Sequence, residues 1–506
     1  MELNAATDYL GTNELLCDIT AEQPVEGEFT IPDYQPEIFK IVKAKAEPVV
    51  VQKLAVGSRA TVDGYVRLTV IYQSNDDKRL FASTQKLPYS KQIDLKDSVG
   101  DNCTIMCDAG ISYLNCRAVN QRRIDVRGAA NLEIKVLSGK ATEVVSDVSG
   151  DGAQQRQREV EFMRQTGIDE KQFTLDEPLS VDFDGCEAPA ILRCDAKALK
   201  ETVSVEDGRI VVSGAVNVSV ALDVSTEDEY RVKRAAFSLP FNQVAEADGM
   251  SEDNFPIVSV SVLSASAEVE EANVVGASVL CALDVRTFEN GSATLVNDAF
   301  STRYELDITA ENVSVIRNIE EVSQPIAVRQ TIEKPAPGAK LIDYYVSPVG
   351  ASFVSESGAV SVRLSSMLSY FLSDAAGDIV SWDQPFEFDV DVEQPFGKPY
   401  YDLDALFTGV ECSEAEDTIT FKAEGTLYGS VIDIVKQPAV ISVSADTSKP
   451  KTRPDMALSI YYADEGEDIF EIAKTFNTSP IEIAQENNIT DGILEQKSML
   501  LIPIVE

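Results

Sequence analysis

Carboxylates are the main side chains of this sequence that could carry out chemistry, because the chain contains no histidine. Without histidine there are no Ser/His/Asp or Cys/His catalytic sites, no His-ligated zinc and few general bases near neutral pH. Asp182 and Asp184 form one close pair, and Glu268, Glu270 and Glu271 form a second grouping that a glycosidase or a calcium site could use. With 84 Asp and Glu residues, however, such groupings arise by chance on solvated strands and loops. We therefore predict that the chain is not an enzyme and has no catalytic residue, metal site or cofactor.

The cysteines indicate reduced thiols in the core. The chain has eight cysteines and no Cys-x-x-Cys pair. Cys103, Cys107 and Cys116 are the one cluster, and small buried apolar side chains account for them better than a metal site does.

Binding is the chemistry that the C-terminal residues favour, because two polar turns there would flank a groove. The candidate groove residues are Gly466, Glu467, Asp468, Ile469 and Phe470 on one loop, and Asn487, Asn488, Ile489, Thr490 and Asp491 on the other. Phe470 is predicted to be the exposed contact and Ile469 to pack inside. Asn487 fits a structural cap equally well.

The elements that would position these loops can be read from the spacing of apolar residues. Ile469, Ile472, Ala473 and Phe476 recur at helical intervals, and Pro480 stands at the start of a second short helix. Residues 458–462 and 499–504 would form two strands that pair and cover the helices. The pattern predicts a small βααβ domain.

This C-terminal segment resembles a LysM domain, a fold that binds N-acetyl sugars or proteins. The resemblance lies in residues 461–473, in Ile483 and Asn487, and in the closing segment 500–503. The usual Gly-Asp-Thr-Leu turn is Gly-Glu-Asp-Ile at 466–469, and the usual Gly-Gln before the last strand is Lys-Ser at 497–498. These changes add carboxylates beside the groove, so a protein partner becomes at least as good a candidate as peptidoglycan.

Upstream, the sequence repeats at a spacing of about 150 residues, which is typical of consecutive domains. Each copy has a long run of alternating apolar and polar residues, at 60–72, 210–222 and 358–371, then a polar turn and a Leu-Pro or Gln-Pro step to an aromatic residue. Further strands are predicted at 123–136, 258–269, 274–285 and 418–434. Alternation of this kind predicts half-buried strands, enough for a β-sandwich in each copy.

The predicted fold is mainly β, with three tandem β-sandwich-like domains and a small α/β domain. The predicted boundaries are 1–150, 158–300 and 305–446 for the β domains, 447–456 for a linker and 457–506 for the LysM-like domain. Polar, flexible breaks are expected at 146–157, 289–298 and 445–456. The single tryptophan, Trp382, is predicted to lie in a core.

The three copies resemble the SPOCS domain of spore-forming bacteria. Residues 29–38, Phe-Thr-Ile-Pro-Asp-Tyr-Gln-Pro-Glu-Ile, are similar to the first strand and proline-containing turn of that family. The order of SPOCS repeats and a terminal LysM is that of a clostridial spore-coat morphogenetic family. The resemblance implies a non-enzymatic mother-cell protein at the forespore surface that binds the morphogenetic ATPase of the basal coat layer through LysM.

Composition limits the partners further. The formal net charge of -41 and the pI near 4.3 disfavour nucleic acid and anionic lipid surfaces. Residues 1–18 contain acidic residues and no apolar run of signal length, and no stretch approaches the roughly 20 apolar residues of a membrane span. We expect a cytoplasmic protein without direct membrane insertion.

Two functional hypotheses follow. The first is a coat-assembly adaptor that binds the coat ATPase and other coat proteins, with self-association through exposed edge strands left open. The alternative is a cell-wall or cortex protein whose LysM domain holds peptidoglycan.

Overall fold

The chain is mainly β, as predicted, in a computed structural model that describes most of its length. The described residues are 3–100, 102–206, 208–226, 230–246, 254–271, 273–336, 338–356, 359–374, 376–392, 400–451, 458–490 and 492–503. Within them, no helix is long and apolar enough to cross a membrane.

Eighteen strands repeat one pattern of six. The first six are β1 (Asn4–Thr30), β2 (Ile38–Val56), β3 (Arg59–Ser74), β4 (Leu80–Asp94), β5 (Asn102–Ala118) and β6 (Arg123–Ser149). The next six are β7 (Ala153–Ser180), β8 (Ala190–Glu206), β9 (Arg209–Asp223), β10 (Val232–Ala245), β11 (Asn254–Glu271) and β12 (Val274–Ser301). The last six are β13 (Tyr304–Glu333), β14 (Lys340–Glu356), β15 (Ala359–Ser373), β16 (Ile379–Asp391), β17 (Tyr400–Glu414) and β18 (Thr418–Pro450). We call these sets repeats 1, 2 and 3.

Each repeat has the same sheet order. In repeat 1 one sheet runs β1-β6-β5 and the other β2-β3-β4, and repeats 2 and 3 have equivalent pairs of sheets. One residue pair, Ile316 with Met163, joins the larger sheets of repeats 2 and 3. The middle strand β3 shows why the sheets pack face to face, because Val66, Leu68 and Val70, at alternate positions, are all buried.

The first and last strands of each repeat extend beyond the sandwich. Their outer parts pair with each other and form three two-stranded antiparallel ribbons, one in each repeat. These parts are 4–15 with 137–149, 153–165 with 288–301, and 304–316 with 434–450. In each ribbon a register shift marks the end nearest the sandwich, near residues 15, 288 and 316. We call the three ribbons together the stem, and we call the sandwiches the heads.

The stem has a core of its own to which every repeat contributes. Leu10, Leu295 and Val315 belong to one buried cluster, and each comes from a different repeat. Phe162 fills the centre, since a side chain at Gly11 or Gly291 would come within 2.7 Å of its ring. The three ribbons are therefore held together because they bury one another's apolar residues. Each ribbon alone would leave its apolar face in water.

The heads also meet in a shared core. Val42 and Leu80 of repeat 1, Leu192 of repeat 2, and Tyr345 and Phe371 of repeat 3 form one buried cluster. The repeats thus share interfaces at both ends of the molecule.

Several sequence expectations are wrong. The expected flexible breaks at 146–157 and 289–298 lie largely or wholly within stem strands, and 447–450 of the expected linker belong to β18. The rest of that linker from 452 lies outside the described residues, and so do residues 227–229 of the polar turn predicted after the run at 210–222. Trp382 is 42% exposed on β16 instead of lying in a core.

Candidate functional site

The C-terminal unit consists of a strand, two helices and a second strand, in the order predicted. Its elements are β19 (Leu458–Ala463), α1 (Ile469–Phe476), α2 (Pro480–Asn487) and β20 (Ser498–Pro503). Asp468 caps α1 by accepting a hydrogen bond from the backbone N–H of Phe470 at 2.8 Å. Pro480 begins α2, and both helices end at asparagines in the left-handed conformation. Ile472, Ile483 and Ile502 are buried in the core of the unit.

This unit is docked on the free end of the stem through helix α1. Phe300, near the end of β12, belongs to the same buried cluster as the core of the unit. The rings of Phe300 and Phe470 meet edge to face, with centroids 5.2 Å apart. Arg156 makes a cation–π contact with Phe470, with its guanidinium carbon 4.7 Å from the centroid of the Phe470 ring. Phe470 is only 6% exposed, so the prediction that it is a surface contact is wrong.

Three polar contacts surround this aromatic contact. Asp468 accepts from Arg156 at 2.5 Å, and Lys474 donates to Asp298 at 2.7 Å. Lys451, just after β18, donates to the side-chain oxygen of Asn477 at 2.8 Å. The α1 side of the C-terminal unit is therefore occupied by the rest of the chain.

The first predicted groove loop lies beside residues 492–494, which follow the second predicted loop. The Gly466 N–H donates to the carbonyl of Leu494 at 2.8 Å, and the Leu494 N–H donates to the carbonyl of Glu467 at 2.9 Å. Gly466 is exposed, with φ of 86° that suits glycine. Glu467 is half-buried and accepts from the Tyr461 hydroxyl at 3.3 Å, a bond that raises the pKa of Tyr461. Ile469 is buried, as expected for a packing residue.

The second loop has a mainly structural start and an accessible end. The Asn487 amide donates to the carbonyls of Ile483 and Leu501, and its oxygen accepts from the Leu501 N–H at 2.7 Å. Asn487 therefore joins α2 to β20. Asn488 and Thr490 are exposed and Ile489 is half-buried. Asp491 lies outside the described residues.

One surface of the C-terminal unit was missed by the sequence analysis. Alternate residues of β19 and β20 point away from the helices, and the exposed ones include Leu458, Ile460, Tyr462 and Met499 at 45%, 59%, 77% and 55%. The signal was present, because the same alternation that buries one face of each strand assigns apolar residues to the other.

A second concave region lies between the heads. It is a cavity of about 1690 Å³ lined by parts of β2 and β5, β8 and β11, and β14 and β17. Its walls carry charges that pair across repeats: Lys197 binds Asp404 and Lys200 binds Glu321. The lysines and carboxylates of these two ion pairs therefore connect repeat 2 to repeat 3.

The cavity wall continues into a charged cluster at the junction of all three repeats. Asp195 accepts a hydrogen bond from Lys45 at 3.0 Å and forms an ion pair with Arg193 at 2.7 Å. Burial alone would raise the pKa of Asp195, but the charges of Lys45, Arg193 and Arg67 outweigh it and lower the pKa to about 2. Arg193 also pairs with buried Asp343 of repeat 3 at 3.2 Å.

Replacing Asp195 with Asn should make acid stability less pH-dependent. A folded pKa of about 2, below the ordinary 3.8, means that the ionised carboxylate stabilises the fold above about pH 4. That contribution, about 2.4 kcal/mol for this shift, is lost as the pH falls from about 4 towards 2. We expect the stability difference between wild type and Asp195→Asn, measured by urea unfolding, to be largest near neutral pH and to shrink towards pH 2. Asp182→Asn, which removes an exposed carboxylate, is the control, and an equal pH profile for both variants would contradict the assignment.

The other chemical candidates are an ion-paired aspartate, three exposed glutamates and the cysteines. Asp184 accepts from Arg231 and Lys233, and the bond from Lys233 lowers the pKa of Asp184. Glu268, Glu270 and Glu271 are exposed on β11. All eight cysteines are free, and burial raises the pKa of Cys107 to about 12 and of Cys116 to about 11. In the described ranges, no three Cys, Asp or Glu side chains are grouped to hold a metal ion.

Comparison with known families identifies two segments of the chain. Residues 37–135 and 188–270 match the family described as SipL, SPOCS domain. The matches begin just before β2 and β8, the same point in repeats 1 and 2, and each covers most of a head. No curated protein and no solved structure matches the chain.

Proposed function

Because two segments of the chain match the SPOCS domain of the SipL family, we propose that this chain is a non-enzymatic adaptor of spore-coat assembly. The family match carries this proposal. In it, the chain works in the mother cell, at the forespore surface. The C-terminal unit, a LysM-like domain, binds the morphogenetic ATPase of the basal coat layer, and the heads contact further coat proteins.

The shape of the molecule supports a role that joins partners. The heads stand at one end of the stem and the C-terminal unit is docked at the other through Phe300 and Arg156. A stem with its own buried core, between two binding regions, keeps a partner of one away from a partner of the other. The stem therefore sets the distance between whatever the two ends bind.

Local charge supports a protein partner over a neutral glycan. Asp464 and Glu465 are exposed beside the first groove loop, which is hydrogen-bonded to Leu494, three residues after the second loop. N-acetyl sugars carry no charge that would offset the desolvation of carboxylates. A protein can offer lysine or arginine at the same place.

The test compares the full chain with a chain ending at residue 450, each against the purified coat ATPase. We expect the full chain to bind and the shortened chain to lose binding by about 100-fold or more, because the proposed contact surface is removed. Binding is measured by biolayer interferometry, and both chains are also sedimented with insoluble peptidoglycan. Thermal unfolding of the heads and stem checks that the shortened chain is folded.

Two results would count against the adaptor. Equal ATPase binding by both chains would remove the C-terminal unit from the contact. If the full chain sediments with peptidoglycan and the shortened chain does not, and neither binds the ATPase, the cell-wall alternative is favoured.

A further inference from the structure

The outer face of the two-stranded sheet in the C-terminal unit is entirely apolar. Backbone pairing places Leu458 opposite Pro503, Ile460 opposite Leu501, and Tyr462 opposite Met499. These six residues alternate with Ser459, Tyr461, Leu500 and Ile502, which face the helices. A sheet with one solvated face normally carries polar residues there, so a contiguous apolar face indicates a contact surface.

Among the described residues, nothing covers this face of the sheet. Helices α1 and α2 cover the inner face of the sheet, and α1 is itself docked against Phe300, Arg156 and Asp298. The outer face keeps Ile460 at 59% exposure and Tyr462 at 77% in the context of the chain. Docking on the stem therefore turns this face towards solvent.

The charges at one end of the face are acidic. Asp464, next to the last strand pair, is bound to Lys497 at 2.7 Å. Glu465 and Glu495 are exposed and form no ion pair within the described part of the chain. They lie in the loops that follow β19 and precede β20, at the end of the face that carries Tyr462 and Met499.

Charge also decides against a second copy of this chain as the occupant. Two such faces would bring the same acidic ends together, on molecules that each carry a formal charge of -41. A partner with cationic side chains beside an apolar stripe gains from both features. The geometry favours a helix over an extended strand, because an added strand would pair with a sheet edge and leave this face open.

We propose that the outer face of β19 and β20 is a docking surface for a basic amphipathic helix of a partner protein. The proposal rests on the proposed function for the role of the C-terminal unit in partner binding. It places the contact on the sheet and not in the loop groove. Ile460 lies at its centre, and Tyr462 lies at its acidic end beside Glu465 and Glu495.

The test uses the full chain and two probes: the purified coat ATPase, and a synthetic helix with a leucine face and a lysine face. Ile460→Ser and Tyr462→Ser are combined in one variant, which removes apolar area without changing charge. Ile481→Ser is the matched control, since Ile481 is 65% exposed on α2 and faces away from this sheet. A second peptide, with glutamate in place of lysine, tests the charge preference. Circular dichroism and thermal unfolding check the folding of each variant.

We expect the double variant to bind the lysine peptide about tenfold more weakly or worse, and Ile481→Ser to bind as wild type does. The glutamate peptide should bind far more weakly than the lysine peptide. The double variant should lose ATPase binding in parallel. Equal peptide binding by the double variant and the control, or no peptide binding by wild type, would overturn the docking surface. If the peptide results hold while wild type does not bind the ATPase, the proposed function fails and the surface stands.

Discussion

Replacing Asp343 with alanine is expected to lower the free energy of unfolding by about 3–5 kcal/mol. Asp343 is 2% exposed and accepts from Arg193 of repeat 2, itself 5% exposed. Arg193 also stacks on Tyr345, with its guanidinium carbon 4.1 Å from the ring centroid. Removal of the carboxylate leaves a buried guanidinium without one of its two anions. Urea unfolding of the full chain, followed by circular dichroism, measures the loss.

The control is Asp389→Ala, which removes the partner of Arg363 in an exposed pair within repeat 3. Exposed pairs contribute little, so only a small change is expected. The double variant Arg193→Met, Asp343→Leu should recover much of the lost stability, because it removes both charges and keeps the volume filled. A loss for Asp343→Ala no larger than that of the control would show that this ion pair does not hold the repeats together.

The result bears on how the repeats are arranged. The sequence predicts consecutive sandwiches separated by flexible breaks, and such domains would unfold separately. In the structure, Asp195 and Asp343 each bind a cation of a neighbouring repeat, and Leu80, Leu192 and Phe371 share one core. We infer that the repeats form one cooperative body.

The centre of each head was predictable because its signal is local. The runs at 60–72, 210–222 and 358–371 correspond to β3, β9 and β15 within a few residues. Strict alternation over such a length is typical of a strand with one face on a core, whichever sheet it belongs to.

The stem was missed because its stability is not local. Residues 153–158, Ala-Gln-Gln-Arg-Gln-Arg, are polar enough to read as a linker, yet they form the start of β7. The apolar residues further along the ribbons, such as Val160 and Leu295, are buried where the three ribbons of the stem meet. The alternation of Val160 with Phe162 is present in the sequence, but it does not show which other segments cover that face.

The C-terminal unit divides in the same way. Its elements follow from helical spacing at 469–476 and from Pro480, and they were predicted within one or two residues. The role of Phe470 could not be predicted, because its partner Phe300 lies on a strand of repeat 2. An aromatic residue beside a polar loop looks like a ligand contact until the surface that covers it is known.

Replacing Phe300 with alanine should release the C-terminal unit from the stem without unfolding it. Phe300 is 3% exposed and belongs to β12, whereas the core of the unit keeps Ile472, Ile483 and Leu500. Loss of a buried phenylalanine costs about 3–5 kcal/mol, which is enough to shift docking by about 100-fold or more.

Trypsin cleavage after Lys451 provides the measurement. The Lys451 side chain binds Asn477 of the docked unit, and its N–H donates to the carbonyl of Arg303 at 2.8 Å. Release of the unit removes the first contact and frees the Lys451 side chain to enter the protease. We expect cleavage at this site, followed by mass spectrometry, to be about 100-fold faster in Phe300→Ala when opening precedes cleavage. Phe300→Leu, which keeps most of the apolar volume, should stay close to wild type. Equal cleavage rates for wild type and Phe300→Ala would mean that the edge-to-face contact with Phe470 does not hold the unit in place.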